Sequence, residues 1–289
     1  MERVDSMKNA TRSGGIFSIS FISERRLSPS KPEACTQDTT EIGGSGQLQY
    51  AEIRRAITPA RLTAFDRAAQ SRGASHDDAI NLYEWNAELA SALLLPLHLF
   101  EVVLRNAIHE ALTRTYLERW PWDNRFLYSV PQKHGRYEPR RDVQQAASRN
   151  PTTGKVIPEL KFVFWEQMLS SRYDTAIWNP LLTTVFPNVP ESEGTSAAVR
   201  GLARDVGVVR GIRNRVAHHE PIFSQNIDRV MDAIQRISAC RSHDVGNWVK
   251  ASHRVTEVQG QCPSWYAGSA AVPGLSPRRG RCCAGTWRR

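Results

Sequence analysis

Between Arg210 and Phe223 the chain reads RGIRNRVAHHEPIF, with Arg213, Asn214 and His218 in close succession and His219 and Glu220 directly behind them. These residue types suit cleavage of a phosphodiester. An imidazole titrates near neutrality, so His218 can accept a proton from a ribose 2′-hydroxyl or give one to a leaving oxygen. A guanidinium presents a rigid fork of donors to a phosphate whose charge grows in the transition state, which is the role open to Arg213. Asn214 can orient the phosphate or the imidazole. The scheme needs no metal. A zinc site on His218, His219 and Glu220 is disfavoured, because consecutive helical residues diverge by about 100° and no H-E-x-x-H spacing is present.

Regular helix geometry works against a single catalytic face. Asn214 and His218 share one side, but Arg213 lies roughly 140° from His218 around the axis. Two features ease the conflict. Pro221 disfavours helical geometry at Glu220, so the helix is expected to end between His218 and Glu220 with the histidine exposed. An arginine side chain is also long enough to reach around. Pairing of two chains across a symmetric cleft is a further route, and a homodimer is expected on that ground. Arg210 and Arg215 read as solvated charge complementing the helix macrodipole.

An earlier segment, LHLFEVVLRNAIHEAL, places His98, Glu101, Arg105 and His109 within about 80° of one another, beside an apolar face of Leu97, Phe100, Leu104, Ile108 and Ala111. Glu101 and Arg105 form an i,i+4 pair with the acid N-terminal. They could hold the Arg213–His218 segment in place or simply stabilise their own helix. The aromatic group Phe162, Phe164, Trp165, Tyr173 and Trp178 could stack on unpaired bases, but its near-helical spacing points to core packing.

RNRVAH fits the R-N-x-x-x-H form of the motif of HEPN domains, and RNRVAHHEPIF resembles the matching segment of Abi-like (abortive infection) proteins. LHLFEVVLRNAIHEAL resembles that family's early helix with its E-x-x-L-R-N core, and FVFWEQMLSSRYDTAIWNPLLTTVFPN resembles its aromatic segment; together the three span roughly residues 53 to 258 in family order. The resemblance implies an all-helical HEPN-like bundle, often dimeric, whose catalytic members are metal-independent ribonucleases of phage defence and toxin systems. It implies Arg213 and His218 as the catalytic pair and Asn214 as the polar residue after the arginine. Glu101 and Arg105 are retained in the family pattern and stand as supporting residues, with His219 and Glu220 beside them. RNA is the implied substrate, an antitoxin a possible partner, and no cofactor is called for. The competing reading is a non-catalytic helical module that binds RNA or protein with the same residues.

The surrounding sequence is helical throughout. Thr58 and Pro59 open a short helix that Gly73 closes. Almost forty residues of helix formers follow, with Ser75 or Asp77 as the cap and Pro96 as a break or kink. A helix over RRDVQQAAS, an aromatic helix ended by Asn179-Pro180 and a short one ended by Pro187 come next. Val199, Leu202, Val206, Val209, Ile212 and Val216 then recur at helical spacing through the segment that carries the motif, and SQNIDRVMDAIQRISAC follows as an amphipathic helix. Strand alternation is nearly absent, so the fold class is all-α, with an Abi-like HEPN helical domain over 51–259.

The ends differ in character. Residues 1–50 are rich in Ser, Thr, Gly and Pro without periodicity and read as a disordered extension; 260–289 read as a basic, Cys/Arg-rich disordered tail. Of the net charge of +9, the stretch 241–289 supplies eight Lys/Arg against two Asp/Glu, so the basic balance itself argues little for a shaped nucleic-acid surface. The five cysteines Cys35, Cys240, Cys262, Cys282 and Cys283 are odd in number and lack C-x-x-C spacing, which suggests reduced thiols. No run reaches the roughly 18–20 apolar residues of a bilayer span, and GIFSISFI is too short for a signal peptide. A cytoplasmic protein without membrane attachment is the expectation.

Overall fold

A computed structural model describes residues 45–190 and 194–267. Helix and helical turn account for 77% of these residues, and no strand occurs among them, so the all-α expectation is met. The outlying 1–44 and 268–289, including the SPRRGRCCAGTWRR segment, lie outside the described residues.

Helix α1 (Ser45–Ile57) leads into α2 (Pro59–Gln70). Thr58 occupies the N-cap position of α2, but its side chain makes no capping bond and its φ is 76°; Pro59 in the first turn supplies the helical φ instead. Gly73 then turns the chain in the left-handed region at φ 69°. Helix α3 (His76–Tyr116) begins with a complete capping box, in which Ser75 and Asp78 satisfy each other's backbone N–H groups. It continues through Pro96 as one helix of 41 residues. The missing proline donor forfeits one intrahelical bond, and the buried residues on both sides of Pro96 hold the two halves against the same core.

The midsection is a set of short helices, α4 (Asn124–Ser129), α5 (Pro139–Arg149), α6 (Thr153–Val156), α7 (Phe162–Gln167) and α8 (Asn179–Val185). Asn179-Pro180 was expected to end the aromatic helix; it opens α8, since proline costs nothing at a position whose N–H has no intrahelical acceptor. The aromatic segment is instead divided into α7 and two turns over Ser171–Trp178. Phe164, Trp165 and Trp178 have no exposed surface and Tyr173 has 2%, so these rings are core and none is placed to stack on a base.

Helices α9 (Thr195–Ala217), α10 (Ile227–Arg241), α11 (His243–Ala251), α12 (Val255–Gly260) and α13 (Ser264–Ala267) complete the bundle. The buried face of α9 consists of Val199, Leu202, Val206, Val209, Ile212 and Val216, the six residues whose spacing foretold it. Helix α3 forms the centre, packed by α2, α9, α10 and α12, while α7 wedges against both α3 and α9.

Order extends beyond both anticipated boundaries. The first helix starts at Ser45 rather than after residue 50, and Cys262, Trp265 and Tyr266 pack on the core although the stretch after 259 read as tail. Apolar aromatics in that stretch give it something to bury, with Tyr266 set against Phe223 at 5.5 Å between centroids. Trp85 on α3 donates from Nε1 to the Val258 carbonyl at 2.7 Å, fixing α12 to the bundle. Among the described cysteines, Cys240 and Cys262 are free thiols, each pushed up in pKa by burial.

The expected absence of any membrane-length apolar helix needs correction. An 18-residue window of α3 has a mean hydropathy of 1.7 with 33% of it buried, enough by length and composition to cross a bilayer. Its apolar residues divide between the core and an exposed strip of Leu94, Leu95 and Val102.

Candidate active site

The motif occupies the last turn of α9 and the loop that leaves it. The helix closes in a Schellman arrangement: Glu220 N–H donates to the Arg215 carbonyl at 2.8 Å and His219 N–H to the Val216 carbonyl at 3.1 Å. His218 is the cap, with φ −99° and ψ 8°, and His219 takes the left-handed position at φ 54° that glycine usually fills. Where an apolar contact commonly accompanies this motif, an Arg215–Glu220 ion pair at 3.4 Å spans the same two positions. Arg215 Nη1 also donates to the Pro221 carbonyl at 3.2 Å. Arg215 and Glu220 therefore clamp the turn, and neither is a loose surface charge.

Three contacts from outside α9 hold this helix end. Asn86, on the buried face of α3 at 6% exposure, accepts from Ile222 N–H at 2.7 Å and from Phe223 N–H at 3.0 Å through one Oδ1. Arg61 of α2 donates from Nη1 to the His219 carbonyl at 2.8 Å. Phe223 then seats its ring on Phe65, 5.0 Å between centroids. The chain leaving the motif is thus tied to α2 and α3 within five residues of His218.

Glu101 of α3 faces Arg213, whose Nε donates to Oε2 at 3.4 Å, while Oε1 receives Arg105 from one turn further along the same helix. One carboxylate therefore bridges two guanidiniums. Burial holds the Arg105 pKa below its ordinary value; Glu101 opposes that and the nearby positive charge of Arg213 adds to it. Arg105 remains charged at any ordinary pH. Arg213 uses its Nε edge on Glu101, and its terminal nitrogens have no hydrogen-bond partner among the described residues.

His218 is exposed, and its ring has no hydrogen-bond partner among the described residues. Asn214 is half-buried, its carbonyl accepting the His218 N–H at 3.0 Å. No hydrogen bond joins Arg213 to His218. His218 N–H still makes the helical i→i−4 bond, so the roughly 140° separation from Arg213 persists at its Cα and only the chain beyond it leaves the helix. His219, by contrast, is used for its backbone. Replacing His219 with glycine is expected to leave the fold intact and to raise stability by up to about 1 kcal/mol through relief of the left-handed conformation, less the entropy glycine adds to the unfolded chain. Chemical denaturation of the His219→Gly variant checks this, and a loss of more than about 1 kcal/mol would show that the ring itself is needed.

Arg210 is the clearest departure from the sequence expectation. It was read as solvated helix-end charge, but its Nε lies 2.6 Å from Glu166 Oε2 of α7. Gly207, one turn earlier on α9, makes room for that carboxylate: a Cβ there would come within 3.3 Å of Glu166 Oε1. His98 and His109 of α3 separate in role. His98 is exposed, whereas His109 accepts from Trp120 Nε1 at 3.0 Å through Nδ1, and burial lowers its pKa, which marks it as a packing residue.

Asn86, Arg61 and Glu166 were not anticipated. Only Asn86 left a signal, an amide on the same helical face as Ala79, Leu82, Leu93 and Leu97, where a polar group must find a buried partner. Among the described residues no three His, Cys, Asp or Glu side chains cluster closely enough to hold a metal ion. A cavity of about 520 Å³ opens between the first half of α9 and the end of α10, lined by Leu202, Arg204, Arg236 and His243 among others. Arg204 stands about 21 Å along the axis from His218, so this cavity is no part of the motif's surroundings. Comparison with family models, curated proteins and solved structures finds no match to this chain.

Proposed function

We propose that the chain is a metal-independent endoribonuclease of the Abi-like, HEPN type, acting on RNA in phage defence or as a toxin. The observation that carries this reading is the pairing of an exposed, partner-free His218 on a helix cap with an Arg213 held by Glu101 and free at its outer nitrogens. His109, by contrast, is held by a hydrogen bond from Trp120 Nε1.

In the proposed reaction the ribose 2′-oxygen attacks the adjacent phosphorus and the bond to the 5′-oxygen breaks. The 2′ proton passes to an imidazole, and the departing 5′-oxygen takes one from an imidazolium. The products are a 2′,3′-cyclic phosphate and a 5′-hydroxyl. Because the nucleophile belongs to the substrate, no ion is required to activate water. Arg213 receives the charge that builds on the phosphoryl oxygens, Asn214 orients the imidazole, and Glu101 with Arg105 fixes the Arg213 guanidinium.

A second copy of the chain supplies the other imidazole in this scheme. The exposed strip of Leu94, Leu95 and Val102 favours such a homodimer: Leu94 lies within about 20° of Glu101 around α3, so apolar surface adjoins the site. Leu95→Asp combined with Val102→Asp is expected to turn a dimeric particle into a monomer and to abolish most cleavage, read by light scattering and a cleavage assay on the same sample. A wild-type chain that is monomeric at micromolar concentration and fully active would remove the dimer from this account.

The test of the function itself is incubation of the purified chain with RNA in EDTA. RNA is expected to be cut, DNA of the same sequence to survive, and an RNA with a single 2′-deoxy sugar at a mapped cleavage point to resist there. Cutting at the deoxy position would exclude internal attack. The non-catalytic reading predicts binding of the RNA without any cleavage.

A further inference from the structure

We infer that Arg210 binds the phosphate next to the scissile one, so that α9 grips two successive phosphates of a single strand; this rests on the ribonuclease reading above. Arg210 sits one turn before the motif, about 60° from Arg213 around the axis and about 40° from Asn214, hence between them in angle. Side chains three apart on a helix are neighbours, with Cβ atoms about 5–6 Å from one another.

Each of the two arginines is set against a carboxylate from another helix. Arg213 meets Glu101 of α3 and Arg210 meets Glu166 of α7, each through Nε. The Arg210 Nε, 2.6 Å from its carboxylate, is not aimed along a hydrogen bond, so the pair is a charge contact that positions the guanidinium without engaging its fork. In both residues the terminal nitrogens have no hydrogen-bond partner among the described residues, and both side chains are close to two-fifths exposed. A Cβ at Gly207 would stand 3.3 Å from Glu166 Oε1, a tight contact that glycine relieves. An arginine that only complemented the helix dipole would not require a carboxylate from another helix. Two forks, preset by carboxylates from two other helices, suit a strand whose phosphates follow one another along the helix axis.

The test measures binding of a fluorescein-labelled single-stranded RNA to His218→Ala chain across a series of salt concentrations, with and without Arg210→Gln. Loss of one phosphate contact is expected to reduce the slope of log K against log salt by about 0.7, the increment for a single strand. Arg210→Lys, which keeps the charge, should restore the slope. In the cleaving protein, Arg210→Gln should lower kcat/KM for an oligonucleotide relative to a dinucleoside monophosphate by about tenfold, chiefly through KM. An unchanged slope, a lysine variant that fails to restore it, or equal losses on both substrates would overturn the assignment. If the His218→Ala chain binds no RNA at all, the ribonuclease reading falls with it; binding with an unaltered slope removes the Arg210 contact alone.

Discussion

Replacing His218 with alanine is expected to slow RNA cleavage by about 10²–10⁴-fold, the range set by the loss of general acid–base catalysis. Stability should change by no more than about 0.5 kcal/mol, because the ring is exposed and without a partner among the described residues. Arg213→Ala is expected to cost about 10²–10³-fold, since it removes donors to the developing charge. It also strips one of the two cations from Glu101, leaving Arg105 as that carboxylate's remaining partner. Arg213→Lys should recover only part of the loss: an ammonium supplies charge but cannot meet Glu101 with one edge and a phosphate with the other. The double variant should be little worse than His218→Ala alone, as residues that act on one transition state do not lose rate additively. Single-turnover cleavage, with denaturation midpoints measured in parallel, gives all of these quantities.

The second large effect is on stability. Asn86→Ala leaves the Ile222 and Phe223 N–H groups without their acceptor beneath the motif turn, at a site where water has little access. An orphaned buried donor costs about 1–3 kcal/mol and the part-buried Phe223 N–H less, so a loss of about 2–4 kcal/mol is expected. Asn86→Asp keeps an oxygen in place and should lose less, although it buries a charge. Urea denaturation reads the difference. An alanine variant with the wild-type midpoint would mean that the 222–223 segment finds other partners and that Asn86 does not anchor the site.

Much of the bundle could be read from periodicity. The apolar repeat of α9 named its six buried residues, and of the two candidate caps for α3, Ser75 and Asp77, the serine is the one used. Both are local signals, carried within one helix. The misreadings arose where the outcome depended on distant partners. Asn179-Pro180 is equally compatible with a helix end and a helix start, and Arg210 looked solvated because Glu166 is far from it in sequence. Trp265 and Tyr266 were hidden by their Gly- and Cys-containing neighbours, though two aromatics together have enough area to seek a core.

The site followed the same division. Arg213, Asn214 and His218 were visible as residue types at a spacing, and Pro221 indicated that the helix stops there. What the spacing could not convey is how the stop is made: a left-handed His219, an Arg215–Glu220 clamp, and anchors from Arg61 and Asn86 at sequence distances well beyond one hundred residues. In the proposed mechanism, a second copy of the chain is what lets Arg213 and His218 serve one phosphate from opposed positions on a helix.

The most direct measurement is the chemistry of the new ends. End-labelled RNA is incubated in EDTA with wild type and with His218→Ala purified in the same way, and the fragments are weighed by mass spectrometry. The account predicts a 2′,3′-cyclic phosphate and a 5′-hydroxyl with wild type and about one-hundredth of that product or less with the variant. Equal cleavage by both proteins, or wild-type fragments bearing a 5′-phosphate, would contradict it.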